Sequence, residues 1–129
     1  MITVKVKVKG HDELVKELRK ASKEIQGEAR NILNSQAKVV RDHIKSRCPV
    51  DDGTLKKSIK AKLARKALLA SVKMGGGKAY YAPYVEFGTK NMSARAFFYN
   101  TARLHEDETH EKLTDMMTQK LKEASGDGL

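Results

Sequence analysis

The sequence predicts an α+β fold, in which a long helix in the first half and a C-terminal helix pack on an antiparallel sheet of about four strands. Three observations support this class: strict apolar–polar alternation near the N-terminus, a long proline-free stretch with helical periodicity, and short alternating segments around a glycine-rich turn. The length of 129 residues is typical of one domain. We therefore expect a single domain over residues 1–124 and a flexible tail over residues 125–129.

The first strand is predicted over residues 2–9. Apolar Ile2, Val4, Val6 and Val8 alternate there with polar Thr3, Lys5, Lys7 and Lys9. This pattern is typical of a half-buried strand whose β-branched side chains face the core. The polar side of this strand, with its three lysines, has two interpretations: protection of a sheet edge against unwanted pairing, and contact with a polyanion.

The predicted long helix occupies residues 12–47, with Asp12 as its N-cap and Pro49 just beyond its end. Apolar residues recur from Leu14 to Ile44 in steps of mostly three or four. A continuous helix would be about 54 Å long at 1.5 Å per residue, which exceeds the width of a compact domain of this size. Projection beyond the sheet or packing on a neighbouring subunit would accommodate it, and the alternative is two helices broken near Gly27.

Three further strands are predicted, over residues 58–63, 68–74 and 79–87. A glycine turn separates the last two at residues 75–77, and Pro83 marks an edge or a bulge. After a loop at residues 88–92, Ser93 is predicted to cap a final helix near residues 94–124.

Charge is distributed unevenly along the chain. Lys and Arg total 26 against 16 Asp and Glu, a net charge of +10, and residues 1–66 alone hold 18 basic and 8 acidic residues. Nucleic acid, an acidic protein surface and an anionic membrane surface are the partners that such an excess favours, beside a plain solubilising role. No apolar run is long enough to span a bilayer, and we expect no signal peptide. The single cysteine, Cys48, suits a reducing compartment.

Neither a catalytic nor a metal site is predicted. His105 and His110 are five residues apart, whereas two ligands on one helix face are four apart. Cys48 and His43 lack an orienting third group, so the interpretation is a half-buried thiol. The Gly75–Lys78 stretch lacks the ending and the following helix of a phosphate loop. The sequence therefore predicts a protein that is not an enzyme and needs no cofactor.

Three segments contain the most specific motifs. They are residues 49–59 (Pro-Val-Asp-Asp-Gly-Thr-Leu-Lys-Lys-Ser-Ile), 81–89 (Tyr-Ala-Pro-Tyr-Val-Glu-Phe-Gly-Thr) and 94–102 (Ala-Arg-Ala-Phe-Phe-Tyr-Asn-Thr-Ala). Their order resembles a family of small structural proteins of tailed double-stranded DNA bacteriophages. These are tail components or head–tail joining (neck) proteins, typified by gene product ten of a lambdoid coliphage. The resemblance covers most of residues 10–120, and residues 81–89 are its most specific part.

The residues that match this family pattern are the candidate assembly residues: Pro49, Asp52, Gly53, Leu55, Lys56, Lys57, Ser58, Tyr81, Tyr84, Glu86, Phe87, Gly88, Thr89 and Phe97. The chain departs from the pattern in two places. The order of residues around Gly53 is changed, with Asp52 before it and Thr54 after it, and Ala96 stands where a proline often precedes the Phe.

Physical roles can be assigned to several of these residues, beside the simpler interpretation of turn chemistry alone. Gly53 supplies a positive φ after the long helix, and Gly88 with Thr89 lets the chain reverse. Lys56 and Lys57 present cations to a phosphate or an acidic partner. Glu86 has two alternatives: to accept hydrogen bonds from backbone amides, or to pair with a lysine of a neighbouring subunit.

The resemblance implies a non-enzymatic morphogenesis protein of a phage or prophage. It would be a neck or tail-completion component that connects head and tail as a ring subunit, six-fold in keeping with tail symmetry. Its partners would be further copies and the neighbouring head-completion and tail proteins, with non-specific contact with DNA and none with a membrane. It would be made in the host bacterial cytoplasm and reside in the virion. The alternative is a sequence-independent nucleic-acid-binding module, which the basic first half suggests.

Overall fold

A three-stranded antiparallel sheet organises the computed structural model, which describes residues 3–49, 53–88 and 96–124. The strands are β1 (Thr3–Val8), β2 (Lys60–Lys62) and β3 (Ala70–Gly75), in the order β1-β3-β2. The six helices of the described residues are α1 (Asp12–Lys20), α2 (Lys23–Arg47), α3 (Thr54–Lys57), α4 (Ala82–Phe87), α5 (Phe97–Arg103) and α6 (Glu106–Ala124). The predicted α+β class is confirmed, with three strands rather than about four.

The core lies between one face of the sheet and the helices. Val4 pairs with Met74 and Val8 with Ala70 in the β1–β3 register, and all four are buried. Helix α2 packs on this face through the buried residues Ala29, Leu33, Ala37, Val40 and Ile44, and α5 and α6 add Phe98 and Leu113. The predicted alternation of β1 is thus confirmed, with its valines inside and its lysines outside.

The prediction of a continuous helix over residues 12–47 is wrong, because the helix is interrupted at Ala21 and Ser22, ahead of Gly27. The Ser22 hydroxyl accepts a hydrogen bond from the backbone N–H of Ile25 (3.2 Å) and starts α2. The side-chain amide of Gln26 donates to the carbonyls of Leu18 and Ala21 at 3.1 and 3.2 Å, which satisfies the end of α1.

The start of α1 also differs from the prediction. His11 occupies the N-cap position without a side-chain cap, and Asp12 is the first helical residue. Its carboxylate accepts a hydrogen bond from Lys9 Nζ at 3.1 Å, and this contact lowers the pKa of Asp12. The predicted end of the long helix is confirmed: α2 stops at Arg47, and Cys48 before Pro49 is extended.

The prediction of a strand over residues 79–87 is wrong, because this segment contains helix α4. Its buried residues Ala82 and Glu86 are four apart, which is helical spacing. Pro83 lies in the first turn, where the missing N–H has no partner to lose. The proline therefore favours a helix start here. The tyrosines and the valine, which suggested a strand, belong to a helical segment instead.

The last predicted helix is divided into α5 and α6. The break lies at Leu104 and His105, where the N–H of Leu104 donates to Thr101 O and that of His105 to Ala102 O, both at 3.1 Å. These short-range bonds tighten the last turn of α5. The predicted Ser93 cap, the loop at residues 89–92 and the tail at 125–129 lie outside the described residues, and the single-domain boundary stays a prediction.

Candidate assembly site

The first motif segment folds around a left-handed glycine. Gly53 has φ +76° at the N-cap of α3, so the predicted positive φ is confirmed. Leu55 on α3 is buried, whereas Lys56 and Lys57 are exposed. The Ser58 hydroxyl donates to Leu55 O (2.6 Å) and accepts from the N–H of Gly75 (3.0 Å). Ser58 therefore ties this segment to the end of β3.

Glu86 joins the second and third motif segments. Its side chain is only 1% exposed, and its two carboxylate oxygens accept the N–H groups of Phe98 and Tyr99, each at 2.9 Å. These amides belong to the first turn of α5, where Ala96 at the N-cap supplies no side-chain cap. Glu86 therefore caps α5 from a distant helix, where its negative charge also favours the positive end of the helix dipole. Of the two predicted alternatives, the structure shows the backbone amides.

Aromatic side chains concentrate around α4. The chain has four Tyr, three Phe and no Trp, and all seven lie between residues 80 and 99. Three of them, Tyr80, Tyr84 and Phe87, recur at helical spacing and are exposed by 65%, 53% and 61%. We call these three residues the aromatic strip. The Phe87 ring lies 5.8 Å from that of Tyr99, so α5 supports one end of the strip.

The remaining motif residues divide by burial. Pro49, Tyr81 and Phe97 are half-buried, and Gly88 ends α4 with φ +80°. Asp52 and Thr89 lie outside the described residues. Among the described motif residues, those that offer an exposed side chain to a partner are Lys56, Lys57, Tyr84 and Phe87.

Sequence reasoning missed Tyr80 and the contacts of the histidines. Tyr80 lies in the turn before α4, four residues ahead of Tyr84, a spacing that has meaning only once the segment that follows is recognised as a helix. The rings of His11 and His110 are stacked with centroids 3.9 Å apart, and His43 Nδ1 lies 2.7 Å from His105 Nε2. These pairs connect the first two helices with the α5–α6 region, so their visible role is packing.

The titratable groups outside the motifs have structural causes for their shifts. His105 Nδ1 lies 3.2 Å from Glu108 Oε2, and this contact, followed by that of Lys112, lowers the pKa of Glu108. Burial raises the pKa of the Cys48 thiol, and the charge of Lys56 partly offsets it.

Over residues 3–49, 53–88 and 96–124, no group of three or more His, Cys, Asp or Glu side chains is placed to hold a metal ion. In the same ranges no helix is long and apolar enough to cross a membrane.

Comparison with known families defines the class of the protein as a bacteriophage tail component. The matching family model is described as "Bacteriophage HK97-gp10, putative tail-component" and covers residues 12–88, from α1 to the end of α4. The chain therefore belongs to the HK97 gp10-like family. The match includes Glu86 but ends before α5, which supplies the amides that Glu86 binds. No curated protein and no solved structure shows significant similarity to the chain.

Proposed function

We propose that this tail-component protein is a non-enzymatic morphogenesis subunit that joins head and tail in the neck of the virion. The observation that supports the proposal is the aromatic strip, of which Tyr84 and Phe87 lie on α4 within the most specific family motif and Tyr80 lies in the turn before it. Tyr and Phe are enriched at protein–protein interfaces, and adjacent exposed apolar side chains mark contact sites. Tyr84 and Phe87 would thus insert into a neighbouring subunit or an adjoining neck protein.

The proposed assembly is a ring of copies of this chain, six-fold in keeping with tail symmetry. A head-to-tail contact between two different surfaces closes into a ring when the rotation permits. The aromatic strip provides one such surface, because Glu86 fixes α4 and α5 together behind it. Head-completion and tail proteins would contact the two open sides of the ring.

Deletion of the gene in a phage or inducible prophage tests the proposal. Separate full heads and free tails in electron micrographs are the expected result, and normal infectious particles from the deletion strain would refute it. Complementation then tests the aromatic strip: a Tyr84→Ser, Phe87→Ser double variant should fail to restore joining. The matched control is Leu121→Ser, which removes a side chain of similar exposure (55%) from α6. If the double variant restores infectivity as well as this control does, the strip has no role in joining.

The second candidate function, a sequence-independent nucleic-acid-binding module, is favoured by one observation. The outward face of the sheet displays lysines on all three strands. A neck ring surrounds the path of DNA, so the two functions are compatible within one protein.

A further inference from the structure

The outward face of the sheet is a surface of lysines in cross-strand register. Lys73 on β3 lies between Lys5 on β1 and Lys60 on β2, and Ser71 lies between Lys7 and Lys62 in the next outward-facing row. All five lysines are exposed. These three strands contain no acidic residue. We call Lys5, Lys7, Lys60, Lys62 and Lys73 the lysine face.

This arrangement is unfavourable for the isolated fold. Like charges directly opposite each other on neighbouring strands repel, because their Cβ atoms are only about 4.5–5.5 Å apart. Among the described residues, none of the five lysines forms an ion pair that would relieve the repulsion. An external polyanion would remove this repulsion when it binds.

A cleft extends the lysine face at the end where β2 and β3 meet α3. It has a volume of about 730 Å³, and the described residues that line it include Lys57, Lys60, Lys73 and Lys78 and no acidic side chain. The hydroxyl-bearing Thr3 and Ser58 and the glycine turn also line it. Hydroxyls and backbone amides are ordinary ligands of phosphate oxygens, and lysine supplies the charge.

We infer that the lysine face and this cleft bind the phosphate backbone of double-stranded DNA without regard to sequence. The surface lacks the apolar centre of a protein interface, where lysine is depleted. An acidic protein is therefore the less favoured partner. Single-stranded nucleic acid is also less favoured, since the three strands that build the lysine face carry no aromatic side chain that could stack on a base.

Spacing supports a backbone contact. Alternate residues of a strand are about 6.8 Å apart and neighbouring strands about 4.8 Å apart, so the lysines form a grid rather than a single point charge. Each phosphate contact contributes about −0.9 to the slope of log K against log salt. The five lysines of the face would thus give a slope near −4.5, and contacts from Lys57 and Lys78 would make it steeper.

The test is fluorescence anisotropy of the purified full chain with a labelled short duplex, titrated at several salt concentrations from about 50 to 200 mM. A triple variant, Lys5→Gln, Lys60→Gln and Lys73→Gln, removes the central row. We expect its slope to be smaller by about 2.7 and its affinity at the lowest salt to fall tenfold or more. The matched control is Lys20→Gln, Lys23→Gln and Lys38→Gln, which removes the same charge from exposed helix positions. We expect the change in slope for this control to be at most half of that for the sheet variant.

Two further arms keep the result specific. Replacement of the same three sheet lysines by Arg preserves the charge and should preserve binding, and circular dichroism of every variant checks that the fold is intact. Equal losses in the sheet and helix variants would overturn the inference, since binding would then depend on net charge alone. So would the absence of binding at the lowest salt, or competition by poly-glutamate as effective as that by unlabelled DNA, which would assign the face to an acidic protein.

The inference takes only its biological setting from the proposed head–tail role. DNA binding is measured on the isolated protein, whereas the role in joining is measured on particles from the deletion strain. Loss of one result therefore leaves the other interpretable.

Discussion

Glu86 offers the sharpest test of how the motif segments are held together. In Glu86→Gln the side-chain oxygen still accepts one backbone N–H, but the new amide NH₂ faces the other N–H, so one hydrogen bond is lost and the other is no longer charge-assisted. The carboxylate is 1% exposed and bonded to Phe98 N and Tyr99 N at 2.9 Å each. Water is therefore unable to replace the lost partner without rearrangement.

The expected loss follows from these contacts. A hydrogen bond to a charged group contributes about 1.5–3 kcal/mol, and a buried N–H left without a partner costs about 1–3 kcal/mol. Since one neutral bond survives, we expect Glu86→Gln to lower the free energy of unfolding by about 2–3 kcal/mol. For a chain of this length that corresponds to a decrease in Tm of about 10 °C. The backbone amides in the first turn of α5 should also exchange their hydrogens faster than in the unmodified protein.

Urea denaturation followed by circular dichroism measures the change, with the slope against urea as a check on two-state behaviour. The matched control is Glu111→Gln, which makes the same chemical change at an exposed position of α6 and should stay within about 0.5 kcal/mol of the unmodified protein. If Glu86→Gln is as stable as this control, the reasoning about the distant cap is wrong.

Four other predictions concern the first motif segment and Cys48, which lies just before it. Ser58→Ala leaves the buried N–H of Gly75 without its partner, so the free energy of unfolding should fall by about 1–2 kcal/mol in the same urea assay. Gly53→Ala forces a Cβ into φ +76°, and a loss of about 1–2 kcal/mol is expected; no loss would show that the turn relaxes. The Cys48 thiol, whose pKa burial raises, should react with iodoacetamide far more slowly at neutral pH in the folded protein than in urea. Because the folded state then holds the thiol proton more tightly than the unfolded state does, stability should decline as the pH rises above the ordinary thiol range.

The local patterns of the sequence predicted the parts of the fold that depend on local chemistry. In β1 the valines and lysines alternate, and the register with β3 buries Val4 and Val8 as expected. Pro49 and Gly53 each dictate a backbone conformation that needs no knowledge of distant residues. These features were therefore accessible before any tertiary contact was known.

The misplaced helix break had a local signal that the apolar spacing obscured. Ser22 is a favourable N-cap residue, and it accepts a hydrogen bond from Ile25 N. Apolar residues continue at helical spacing across the break, so periodicity alone predicted one helix. Gly27 is unfavourable within a helix, yet α2 continues through it, and a Cβ there would meet no atom within 4 Å apart from its chain neighbours and the backbone of its own helix.

The candidate site depends on contacts that no local pattern contains. Glu86 was recognised as a motif residue, but its partners on α5 are 12 and 13 residues away and lie across a segment with no helical periodicity. The aromatic strip required α4 to be a helix, and the Tyr-Tyr-Ala-Pro-Tyr-Val sequence predicted a strand instead. Tertiary packing of Ala82 and Glu86 decided between the two.

The two proposed surfaces are separable because different elements build them, although one stretch of chain connects them. Lys73 ends the lysine face on β3, the glycine turn reverses the chain, and Tyr80 begins the aromatic strip. The lysine face lacks an apolar centre and suits a highly charged, hydrated partner. The aromatic strip is apolar and rigidly supported by Glu86, so it suits a protein partner that excludes water. A subunit that contacts DNA on one side and its neighbours on another needs both, and this segment of the HK97 gp10-like chain places them side by side.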